Sequence, residues 1–142
     1  MAAWISRIDG LQVAACYRGR QIDGPRVSIG GANEILQSSA KRLPAGLSFR
    51  AHAHLSTRRE TVGTQEAWVV VSGLVRARVF DVDDSIMVDL LLGPGDCLVS
   101  FRGGHSLTVV EEALLYEFKN GPYFGQEEDK RWIEDGPKET GR

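Results

Sequence analysis

The sequence predicts an all-β protein, and three observations carry that reading. From residue 47 onward the chain runs in short stretches rich in Val, Leu and Phe. Turn-forming clusters break these stretches at spacings typical of sandwiches and barrels. No long helical patterns alternate with them, which removes the doubly wound and (β/α)-barrel classes.

The first forty-odd residues are weakly patterned. They hold a turn at Asp23-Gly24-Pro25 and a short helical candidate over 32–42, with Ile35, Leu36 and Leu43 on one side, stopped by Pro44 and Gly46. Strands are expected at 47–55, 66–72, 74–81, 86–92, 97–101, 105–111 and 113–119. Ser72-Gly73 breaks one apolar run from the next, Asp83-Asp84-Ser85 separates two more, and Gly93-Pro94-Gly95-Asp96 cannot lie inside a central strand because Pro lacks the donor. Such short joints imply antiparallel neighbours. Glu66, Trp68 and Val70 alternate with Ala67, Val69 and Val71, so both faces of that run are apolar and need cover, from the amino-terminal forty residues or from a second subunit. A homodimer is therefore expected. The division that follows is an amino-terminal extension over 1–46 packing on the barrel or a dimer partner, a barrel over 47–131, and a tail over 132–142 that frays from Pro137 onward.

Composition bounds the function. A chain of 142 residues with 42% hydrophobic and 25% charged residues is one soluble domain of ordinary size, without an apolar run of the ~20 residues that a membrane span needs. Arg7 and Asp9 interrupt the apolar residues of the amino terminus, unlike the core of a signal peptide. Net charge is -2, so no global field would hold a nucleic acid. Cys16 and Cys97 lie far apart and outside any Cys-x-x-Cys spacing, which suits a reducing compartment and a cytoplasmic location.

The chemistry concentrates in the three histidines and one acid. His52 and His54, two apart on an expected strand, share a face with Cα atoms ~6–7 Å apart, so two imidazoles can reach one ion. Glu66 and His105 each begin an expected strand and can reach one mouth of a barrel. On 105–110, His105, Leu107 and Val109 share an inward face, and an inward imidazole needs a partner. A set of imidazoles and one carboxylate suits a divalent transition metal such as Zn, Fe, Mn or Ni, whose identity the donors do not fix. An acid near these histidines can also simply orient an imidazole, leaving a pocket without metal.

Four further residues are substrate-binding candidates. Arg50 shares parity with His52 and His54 and can hold a carboxylate or phosphate, or lie in solvent at a strand end. Gln65 can bond substrate or pair within the sheet, Trp68 can wall the cavity or pack the core, and Tyr123 can act as an acid or pack a turn. Glu117 and Lys119 share a face, which suggests an ion pair.

These residues carry a resemblance. His52-Ala53-His54, Glu66 through Gly73, and Gly95-Asp96 through Gly103-Gly104-His105 resemble the two motifs of the cupins, over residues 49–130. Eleven residues separate His54 from Glu66, where the common cupin motif has three or four. Thr64-Gln65-Glu66, Gly103-Gly104-His105, the Gly121-Pro122-Tyr123 run and Asp129-Lys130 are similar to a group of small bacterial single-domain cupins of unassigned activity, which share the wider loop. The resemblance implies a jelly-roll β-barrel with a metal site near one mouth, held by His54, Glu66 and His105 with His52 as a fourth ligand or close neighbour. It fixes no reaction. The leading expectation is a metal-binding protein, as an enzyme acting on a small polar metabolite such as a sugar derivative or organic acid. Its alternatives are a metal-free sugar-nucleotide isomerase or epimerase using a His and a Tyr, and a non-catalytic module for a small-molecule ligand.

Overall fold

A computed structural model describes residues 1–134 of the chain; the expected fraying from Pro137 onward lies outside the described residues. Its strands are β1 (Ala2–Ile5), β2 (Gln12–Tyr17), β3 (Val27–Ile29), β4 (Ser38–Ala40), β5 (Glu66–Phe80), β6 (Ile86–Leu92), β7 (Cys97–Ser100) and β8 (Gly104–Lys119), followed by a single-turn helix α1 (Gln126–Asp129). Every pairing is antiparallel, so the protein is all-β.

The frame is one long ribbon. β5 and β8 run side by side from Glu66 opposite Lys119 to Phe80 opposite Gly104. On its other side, β5 pairs with β7 along its first half and with β6 along its second. The order β1-β2-β7 extends the sheet from the first half. Two expected breaks are bulges within continuous strands: 66–72 and 74–81 are one strand, and so are 105–111 and 113–119. Gly73 explains why. It sits at φ +80 within the register shifts between Val70 and Val75, and a Cβ there would lie 2.0 Å from the Glu112 carbonyl oxygen. The glycine bends the ribbon without ending it.

Across this bend the inward parity of β5 switches. Trp68 and Val70 before it, and Val75, Ala77 and Val79 after it, all enter one core with Val13, Ala14, Cys16, Leu92 and Leu98. The ribbon therefore folds over that core.

The opposite face of the first half carries Ala15, Tyr17, Ala67, Val99 and Phe101, and these are covered by Ile22, Ile29, Val27, Leu36 and Ala40. Of the two apolar faces read in the sequence around 66–71, the one that carries Ala67 receives cover from residues 22–40, on which β3 and β4 form a small separate sheet, and the one that carries Trp68 and Val70 packs on the main core. Residues 1–17 do something different: β1 and β2 are strands of the main sheet, and β2 is buried throughout Val13–Tyr17.

Two expected elements do not form. The helix expected over 32–42 is replaced by turns and β4, because the Leu36 amide donates to Gln65 Oε1 (2.8 Å) and residues 38–40 pair with β3. These tertiary bonds take the donors a short, Ser-containing helix would need. The strand expected at 47–55 has no ladder: residues 41–63 are irregular and exposed. Period-two alternation permits a strand, but a strand forms only where an edge supplies its hydrogen bonds.

Turn chemistry holds the remaining joints. Asp81, buried at the end of β5, accepts from the Val82 amide (2.8 Å) and from the Arg7 amide (2.9 Å), tying the β1–β2 connection to the β5–β6 turn. Asp96 accepts from Gly93 N (3.1 Å), from Gly19 N (3.2 Å) and from Arg18 Nη1 (2.6 Å), which fixes the β6–β7 turn against the end of β2.

Candidate functional site

Folding the ribbon over its core brings its two ends together. Glu66 opens β5 at one end and His105 lies near the start of β8 at the other. Gly103, at φ +70, turns the chain into β8 where a Cβ would strike the Phe80 carbonyl at 2.4 Å. The result is a contact of 3.1 Å between Glu66 Oε2 and His105 Nε2.

Glu66 is buried while the His105 side chain is partly open to solvent. The hydrogen bond from His105 holds the Glu66 carboxyl below the usual carboxylate range, against the upward push of burial, with the positive fields of His105, Lys119 and Lys130 acting in the same direction. An ionised carboxylate only accepts, so the proton of this bond resides on Nε2. Lys119 Nζ stands 3.9 Å from Glu66 Oε1 and 4.0 Å from Asp129 Oδ2. Thr64 Oγ1 donates to Asp129 Oδ1 (2.9 Å), anchoring α1 beside the site.

Aromatic groups frame these charges. The Trp68 ring lies 4.4 Å from the His105 ring, tilted by 59°, and its Nε1–H donates to Glu117 Oε2 (3.1 Å). Lys119 Nζ lies 4.3 Å above the Tyr123 ring, a cation–π arrangement.

The candidates read from the sequence divide by place. Glu66, His105, Trp68 and Tyr123 meet around one point. His52 and His54, with ring centroids 5.5 Å apart, lie on the exposed 41–63 segment, where His52 Nδ1 bonds the Arg50 carbonyl (2.9 Å). Arg50 is exposed on the same segment. Gln65 faces away from the site. Its buried side chain donates to Glu34 Oε2 (2.5 Å) and accepts from Leu36 N, so both ends of the amide hold the 31–40 region to the sheet. Alternation explains this, since neighbours on a strand point to opposite faces.

Lys119 and Asp129 are site residues that spacing alone misassigns. The expected Glu117–Lys119 pair does not form, because Glu117 takes the Trp68 N–H and Lys119 turns to Glu66 and Asp129. The available signal was parity, since Lys119 and His105 are both odd-numbered on one strand and so face the same way.

The donor set can be compared with the needs of a metal. Two donors each ~2.0–2.2 Å from one ion, at angles between tetrahedral and square, lie roughly 3.0–3.5 Å apart. The Glu66–His105 separation matches that of two ligands sharing an ion as well as it matches a hydrogen bond. Among the described residues no group of three or more His, Cys, Asp or Glu is gathered. The Lys119 ammonium opposes a cation at this point. No family model, no curated protein and no solved structure matches the chain.

Proposed function

We propose that this is a small jelly-roll protein of the cupin type, in which Glu66 and His105 are the fixed half of a metal centre for chemistry on a small polar metabolite. What supports the reading is the 3.1 Å meeting of Glu66 and His105. Motif spacing marks both residues, and they come from opposite ends of a folded ribbon. Thr64, Tyr123 and Asp129, also among the residues of the resemblance, gather near the same point around Lys119.

Glu66 and His105 would hold a divalent transition ion together with His54, with His52 as a fourth donor or close neighbour. Bound there, such an ion supplies Lewis acidity or oxygen activation according to its identity. The chain's own residues do the rest: Trp68 fixes the His105 ring, Glu117 fixes Trp68, and Lys119 with Tyr123 offers a cationic, aromatic wall suited to a carboxylate or hydroxylated ligand.

A second reading is favoured by the Lys119 ammonium 3.9 Å from Glu66. Without metal, Glu66 would orient His105 as a general base, with Lys119 near its other carboxylate oxygen as electrostatic partner and Tyr123 beside Lys119 as acid, a set of groups suited to an isomerase or epimerase. A pocket that binds its metabolite without turnover would use the same residues.

Metal content decides between them. Protein produced without an affinity tag is expected to carry about one transition ion per chain, and the His105→Ala and Glu66→Gln variants are expected to lose it. Full metal retention in both variants overturns the metal reading; a metal-free protein whose activity survives chelation establishes the second.

A further inference from the structure

After β8 the chain returns to the seam between the two ends of the ribbon. Asp129, the last residue of α1, holds the end that carries Glu66: it accepts from Thr64 Oγ1 (2.9 Å) and faces Lys119 Nζ at 4.0 Å. The residues just beyond it hold the other end. Arg131 donates from Nη1 and Nη2 to the two carboxylate oxygens of Asp84 (2.7 and 2.6 Å) in the β5–β6 turn, and Ile133 sits on Gly104, where a Cβ would collide with Ile133 Cδ1. Gly104 lies opposite Phe80 and immediately precedes His105. Four residue steps span at most roughly 14 Å, so residues 129–133 cross the seam directly.

The two anchors differ in strength. The Asp129 side chain is only 16% exposed and has two partners, and the Lys130 amide closes α1 on the Gln126 carbonyl (3.0 Å). Beyond Lys130, among the described residues, no main-chain hydrogen bond fixes 131–133. What holds that stretch is Ile133 and an ion pair whose side chains are 64% and 36% exposed. Exposed pairs contribute little, because water and salt compete for both charges, and segments with few buried contacts are those that open locally. The Arg131 end is therefore the end that lifts.

We infer that residues 129–133 are a strap across the Glu66–His105 pair, hinged at Asp129–Lys130 and latched by Arg131 to Asp84, whose latch must release for a ligand to reach both side chains. With the latch closed Glu66 is buried and His105 is only partly open to solvent. The assignment takes that pair as the functional centre, in either of the readings above.

The latch is separable from the centre it guards. Arg131 and Asp84 pair with each other, away from the contact between Glu66 and His105. Asp84 takes φ +68, a left-handed conformation that Asn adopts as readily as Asp. Asp84→Asn and Arg131→Gln thus weaken the pair from opposite sides and leave the turn its shape.

Carbethoxylation of the full chain by diethyl pyrocarbonate tests the strap, with metal removed by a chelator, added N-acetylhistidine as the fully exposed reference, and peptide mass spectrometry to isolate His105. In the parent His105 is expected to react about tenfold more slowly than the reference, and Arg131→Gln and Asp84→Asn are each expected to raise its rate about threefold to tenfold, because local opening governs access. The double variant reacts no faster than the faster single one, since both substitutions break one latch. Unchanged His105 rates in both single variants overturn the strap, and so do effects that multiply in the double variant. Repeating the labelling with zinc judges the metal reading separately. Slowing of His105 by zinc in parent and variants alike upholds that reading; labelling indifferent to zinc counts against it and leaves the strap standing.

Discussion

Glu66 and His105 sit at opposite ends of the same two-stranded ribbon, and their side chains touch. Glu66 lies opposite Lys119 and His105 lies opposite Val79. In straight strands those positions would stand roughly 40 Å apart, yet Oε2 and Nε2 are 3.1 Å from one another. The bend in the ribbon is therefore the feature that creates the site.

If the bend makes the site, Gly73→Ala should destroy both. The residue occupies φ +80, and its Cβ would lie 2.0 Å from Glu112 O and 2.6 Å from Ala113 Cα, both backbone atoms. Neither the conformation nor the neighbour can yield cheaply, so a loss of at least about 3 kcal/mol is expected in urea unfolding. An alanine variant as stable as the parent would show that the ribbon does not turn here.

Trp68→Phe tests the support beneath His105. The substitution keeps an aromatic ring in the core but removes the Nε1–H donated to Glu117. Loss of a bond to a charged acceptor should cost about 1–3 kcal/mol. In the Glu117→Gln background, where the amide still accepts but carries no charge, the same change should cost less. Equal costs in the two backgrounds would mean that the charge on Glu117 adds nothing to the bond.

The acid limb of stability should depend on Asp81. Hydrogen bonding by Ser6 holds its carboxyl below the usual range, against burial, with the Arg7 and Val82 amides and the Arg7 charge helping. A carboxyl with a depressed folded pKa gives stability that is fully present above its unfolded value, about 3.9. That stability is lost as pH falls through the lower folded value. Asp81→Asn should accordingly lower the melting temperature at pH 7 and narrow its gap from the parent as pH falls below 4. A gap that is constant with pH would assign Asp81 a role indifferent to its charge.

Lys119→Met separates the two functional readings. A unit positive charge ~4 Å from Glu66 disfavours a cation at the same carboxylate. Partial solvent exposure weakens that effect, so removing the ammonium should tighten metal binding by about tenfold, measured by competition with a chromophoric chelator. If the site instead works without metal, the variant should lose turnover and leave any adventitious metal affinity unchanged.

The sequence determined the all-β class through its turn spacing, the individual cores of β5 through β8 through their apolar runs, and the identity of Glu66 and His105 through their place at strand starts. It also required cover for both faces around Trp68, which residues 22–40 provide on the side of Ala67 and the folded ribbon provides on the side of Trp68. Tertiary structure decided the rest, because pairing is a relation between segments that are distant along the chain. Periodicity alone could not show that Ser72-Gly73 bends a strand instead of ending it, that Lys119 turns to Glu66 in preference to Glu117, or that the alternating run at 47–55 stands outside the ladder. Alternation prescribes which side chains share a face; only the edges that other strands leave open determine whether that face has anything to meet.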